Sequence, residues 1–181
     1  PIVQTPFTTD NKLDLKTLAN EIRFLDRTGV QGVVWPQLAS EYSELTMDER
    51  MAGMEAVASA GKSLKPAVVL GVQGPDIATA LKYVKHAESL APDALIALPP
   101  RDAKDKAKVI EYYKAIGENC NRPLFAQTIG DMSVTENVIS ERYRTPRFSS
   151  SGSTSATLPS RPMEMGLPRD HAFASSISAS S

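Results

Sequence analysis

Apolar residues in this chain come in short unbroken runs rather than in alternation. Val33-Val34-Trp35 is one run, and Ala67-Val68-Val69-Leu70, ending at Gly71, is a second. Ala94-Leu95-Ile96-Ala97-Leu98, ending at Pro99-Pro100, is a third, and Pro123-Leu124-Phe125-Ala126 a fourth; Ile2-Val3 reads as the stub of an earlier one. Continuous apolar runs of this length fit strands buried on both faces of a parallel sheet. Helical stripes lie between them. Leu15, Leu18, Ile22 and Leu25 recur at spacings of three and four behind Asp14, a suitable N-cap. Thr46 and Glu49 have capping-box spacing and precede Met51, Met54 and Val57. Ile77, Leu81 and Val84 form a third stripe, and Val109, Tyr113 and Ile116 a fourth. Strand and helix alternate at roughly thirty residues per unit, the βα rhythm of an α/β fold.

After Ile139 the rhythm stops. Ser149-Ser150-Ser151-Gly152-Ser153 and the Ser-rich end at Ser175–Ser181 are of low complexity. No lysine follows Lys114, yet half of the arginines lie beyond residue 140. A segment with so few apolar side chains does not offset the entropy of ordering. Two units are therefore expected: a folded domain over 1–139 and a disordered, low-complexity tail over 140–181. The tail reads first as a disordered linker or tail, and second as a non-native continuation such as a shifted frame or an aberrant splice.

The 181 residues are enough for one domain with a sizeable core. A net charge of −1 gives no pull toward nucleic acid or an anionic membrane surface. The longest apolar runs are far too short to span a bilayer, and no signal segment opens the chain. It starts at Pro1 without a Met, which fits a fragment or a processed form. The lone Cys120 excludes an internal disulfide and fits a reducing, cytoplasmic compartment; it reads as structural. Two histidines and that cysteine, scattered, make no metal-ligand cluster.

Several motifs have bland explanations. Gly61-Lys62-Ser63 is not a P-loop, because Ala56 stands at the first glycine position and the triplet precedes a strand. Gly71-Val72-Gln73-Gly74 reads as a tight βα turn. Lys104, Lys106 and Lys108 alternate with acids at a solvated helix start, with nothing apolar to lower a pKa. His86 beside Lys85 is expected to be exposed, and Trp35 to be core.

The stretch Gly32-Val33-Val34-Trp35-Pro36-Gln37-Leu38-Ala39-Ser40-Glu41-Tyr42-Ser43-Glu44-Leu45-Thr46 resembles the signature of the dihydrodipicolinate synthase / N-acetylneuraminate lyase family. That signature is a glycine, an apolar strand, Gly-Thr-Thr-Gly-Glu, and a Leu-Thr opening the next helix. Thr5-Pro6-Phe7 with Asp10, Gly29-Val30-Gln31-Gly32, Leu70-Gly71-Val72, Leu98-Pro99-Pro100 and Arg122-Pro123-Leu124-Phe125 resemble further landmarks in the same order. The resemblance covers about residues 1–139.

It implies a (β/α)8 barrel that binds pyruvate or another 2-oxo acid. A sixth-strand lysine forms a Schiff base for aldol cleavage or condensation, with no cofactor. It also implies a fifth-strand tyrosine as proton shuttle, and backbone N–H groups of the Thr-Thr loop that hold the substrate carboxylate. Glu41 matches the motif glutamate. The two threonines fall at Leu38 and Ala39, the second motif glycine at Ser40, and the tyrosine at Gln127, which cannot ionise. The aromatic pair after the fourth strand falls at Arg101-Asp102, and the resemblance ends before the lysine. Gln127 and Glu41 are thus the candidate catalytic positions, and the amides of Leu38, Ala39 and Ser40 the candidate substrate-binding groups.

The expected fold is α/β: about five parallel strands of a (β/α)8 barrel. A barrel cut there leaves open sheet edges, and Val68, Leu70, Leu95 and Phe125 are expected to look across it for a partner. A homo-oligomer is the expected consequence. The expected function is that of a 2-oxo-acid lyase or aldolase, inactive as this chain. The alternatives are a non-catalytic 2-oxo-acid-binding protein or a half-barrel subunit.

Overall fold

Among the described residues four α-helices and five strands follow one another, helix and strand alternating as far as the fourth strand. They are α1 (Leu15–Arg27), β1 (Gly32–Trp35), α2 (Met47–Gly61), β2 (Ala67–Gly71), α3 (Ile77–Leu90), β3 (Ala94–Ala97), α4 (Lys106–Glu118), β4 (Leu124–Ala126) and β5 (Phe148–Ser150). A computed structural model describes residues 1–100 and 105–127, and the backbone of 148–150. All pairings between the five strands are parallel, in the order β1-β2-β3-β4-β5. Ile2 makes a parallel bridge to Val34, so the N-terminal stub lies beside β1. This is the run of parallel strands expected of part of a barrel.

The helices start where the side chains cap them. Asp14 Oδ1 accepts the Thr17 N–H at 3.0 Å. Thr46 and Glu49 complete their box, with Thr46 N–H on Glu49 Oε2 at 2.9 Å and Glu49 N–H on Thr46 Oγ1 at 3.2 Å. Asp76 caps α3 through the Thr79 N–H at 2.7 Å. Each such cap satisfies a backbone donor that the first helical turn leaves without a partner.

The two faces of the sheet sort by residue parity. Val33, Trp35, Val68, Leu70, Leu95, Ala97, Leu124 and Ala126 join the helices in the main core. Val34, Val69, Ala94 and Ile96 form a second cluster on the other face, with Ile2 and Phe125 packed against it. Of the residues expected to look across the barrel, Val68, Leu70 and Leu95 point to the helices instead, and only Phe125 belongs to the inner face. Successive side chains on a strand alternate, and an unbroken apolar run does not reveal which parity faces the helices.

α2 lies close under the sheet because Gly53 has no side chain. A Cβ there would sit 2.1 Å from Cη2 of the fully buried Trp35. α3 packs on α2 through His86, which is half-buried rather than exposed. Its Nε2 lies 3.1 Å from Met51 O and 3.5 Å from a Glu55 carboxylate oxygen. Cys120 is buried, as its structural reading requires.

The apolar pattern does not anticipate β5. Its residues pair with β4 through Leu124↔Phe148, Phe125↔Ser149 and Ala126↔Ser150. A ladder is made by backbone groups, and serines form one as well as valines do. The rest of the stretch assigned to a disordered tail, and the boundary at 139/140, lie outside the described residues.

Candidate functional site

All parallel strands end on the same side of the sheet, and loops at that end build barrel sites. β1 runs through Pro36 into a single 3-10 turn, Leu38–Ser40. The Gln37 N–H donates to Ser40 Oγ at 3.1 Å, and the Ser40 hydroxyl donates to Val3 O at 2.6 Å. Thr5 Oγ1 donates to Ser40 O and accepts the Trp35 Nε1–H at 3.1 Å. The N-terminal segment thus clamps the turn from one side. Glu41 closes it in the left-handed region, at φ 53° and ψ 36°.

Of the candidate residues, Ser40 is fully buried, while Leu38, Ala39 and Glu41 are exposed. The Leu38 N–H is taken by Gln37 Oε1 at 3.2 Å and the Ser40 N–H by Gln37 O at 2.8 Å. Gln127 is half-buried just past β4. Its N–H donates to Ala97 O at 3.0 Å, and its carbonyl accepts from the Tyr113 hydroxyl at 3.4 Å. Glu41 and Gln127 share an end of the sheet, with β2 and β3 standing between their strands. Tyr113 is the phenol nearest the Gln127 backbone, but burial pushes its pKa well above the ordinary value. Arg101, Asp102 and Lys104 lie outside the described residues. Lys106 and Lys108 are exposed, as a solvated helix start requires. No residue of β1–β5 is a lysine.

Sequence reasoning missed the buried polar groups that organise this end. β2 ends at Gly71, where a Cβ would lie 1.9 Å from Pro36 O and 3.0 Å from Gln73 Oε1. Only glycine lets the two strand ends approach so closely. Gln73, 1% exposed, bonds Pro36 O through Nε2 at 3.0 Å. Arg50, 2% exposed, reaches from α2 to Gly71 O at 2.9 Å, with its guanidinium 3.9 Å over the Tyr83 ring and 5.3 Å over Tyr42. Desolvation pushes its pKa down to about 10, against the pull of the surrounding tyrosines. Tyr112 accepts the Gly74 N–H at 2.9 Å, and burial pushes its pKa up to about 12. Tyr42, Arg50, Asp76, Tyr83, Lys108 and Tyr112 line part of a cavity of about 1000 Å³. The available signal was spacing: Arg50 stands four residues before Met54 and seven before Val57, in the apolar stripe of α2.

Among the described residues no group of three or more His, Cys, Asp or Glu side chains is placed to hold a metal ion. Nor is any described helix long and apolar enough to cross a membrane.

Likenesses to known proteins in sequence and architecture cover only part of each of them. The chain is 27% identical to a probable 2-dehydro-3-deoxy-D-pentonate aldolase of Escherichia coli (strain K12), over 74% of this chain and 44% of that protein. It is 31% identical to a 4-hydroxy-tetrahydrodipicolinate synthase of Methanococcoides burtonii, over 68% of this chain and 42% of that one. Among solved structures, a prophage protein of the dihydrodipicolinic acid synthase family from E. coli K12, in complex with pyruvate, superposes with a TM-score of 0.66 at 25% identity, covering 70% of this chain and 42% of that one. The Clostridium difficile protein CdNal, in complex with mannosamine, shares the fold at a TM-score of 0.74 and 21% identity, over 82% of this chain and 53% of that one. The chain thus spans less than half the length of the curated relatives it matches. The model of the dihydrodipicolinate synthetase family matches residues 1–139, and the chain belongs to that family of lyases and aldolases.

Proposed function

We propose that this chain carries part of the framework of a 2-oxo-acid carbon–carbon lyase, and that the 181 residues alone do not turn over substrate. In the reaction that the resemblance implies, a lysine amine condenses with the keto carbon of pyruvate or a related acid and releases water. The iminium is a better electron sink than the ketone, so the adjacent carbon–carbon bond breaks or forms more readily. Two groups are needed at strand ends: the amine, and an ionisable proton shuttle.

The observation that carries the reading is the strand beside β4. Counting the N-terminal stub as the first strand, β5 stands sixth, where the resemblance implies the lysine, and its residues are Phe148-Ser149-Ser150. The shuttle position before it is Gln127, an amide that neither gains nor loses a proton near neutral pH. What stays available for a 2-oxo acid is the turn after β1, where Leu38 and Ala39 are exposed and backbone amides do not depend on the side chains.

Borohydride treatment with pyruvate tests this, because reduction fixes an iminium as a stable adduct. No mass gain on the intact chain is expected. An adduct would overturn the reading, and peptide mapping would name the lysine responsible.

A further inference from the structure

We draw no further inference here: the strongest candidate, the cavity of about 1000 Å³ beside α2, α3 and α4 that Tyr42, Asp76, Tyr83 and Tyr112 line with the buried Arg50, coincides in place with a ligand pocket already established in the family, so that a ligand proposed there would restate a known property.

Discussion

Arg50 Nη2 lies 2.9 Å from the carbonyl oxygen of Gly71, tying the first turn of α2 to the last residue of β2. The guanidinium carbon lies 3.9 Å from the centre of the Tyr83 ring, and the residue is 2% exposed. A carbonyl and two aromatic faces meet its charge.

Arg50→Met is expected to destabilise the fold by about 2–4 kcal/mol, through the lost charged hydrogen bond, the lost cation–π contact and an unpaired Gly71 carbonyl. Arg50→Lys restores less than half, because an ammonium is not planar and does not lie on the ring as a guanidinium does. Urea midpoints of the three proteins check this. A Met variant within about 0.5 kcal/mol of the parent would mean the burial of the guanidinium is itself as costly as the contacts are favourable.

Gly53→Ala offers a sharper case, because helix propensity and packing pull in opposite directions. Alanine in a helix interior is favoured over glycine by about 1 kcal/mol. The new Cβ would meet the Trp35 ring at 2.1 Å, against a side chain with no room to retreat. Overpacking of this kind costs about 1–3 kcal/mol, so a net loss of stability is expected, with a shift in the emission of the single tryptophan. A stabilised variant with unchanged emission would show that the α2–sheet spacing is softer than its geometry implies.

Tyr112 gives the fold a pH dependence in the alkaline range. Its folded-state pKa is pushed up to about 12 by burial, from an ordinary value of 10.0. Between these two values the unfolded chain has lost the proton and the folded chain keeps it. Folded protein therefore binds more protons, and stability falls as pH rises through the window. Arg50 works in the opposite sense: its folded pKa of about 10 lies below the ordinary 12.5, so the unfolded state holds the extra proton there. Tyr112→Phe removes the first contribution only. Its stability should fall less between pH 9.5 and 11.5 than that of the parent, by about 1–3 kcal/mol. It should also be slightly less stable at pH 8, where the hydrogen bond with Gly74 is lost. Identical pH slopes for the two proteins would exclude Tyr112 as the source.

The open sheet predicts self-association. Among the described residues β1 and β5 stand at opposite ends of the sheet, with only the Ile2 bridge beyond β1. Strand edges of this kind template pairing with another chain. Light scattering should find dimers or larger species, dissociated by charged substitutions at β5. A monomer at high protein concentration would mean the edges are covered within the chain.

Much of the fold was legible in the chain itself. The runs at 33–35, 67–70, 94–98 and 123–126 became β1 to β4, because a strand buried on both faces must be apolar throughout. Asp14 and the Thr46/Glu49 pair announced their helices, since capping is decided within one turn of chain. The family motif was legible for the same reason, being a strand, a turn and a helix start in succession. What only the tertiary structure decided were the relations between distant residues. Unbroken apolar runs carry no parity, so packing against the helices chose Val68 and Leu70 for one face and Val69 for the other. β5 is made by backbone pairing to β4, which a serine-rich segment does not advertise. Gln37, Arg50, Gln73 and Tyr112 became buried polar groups because strand ends and helices converge on them. Composition marks such residues as surface, and only the fold removes them from water.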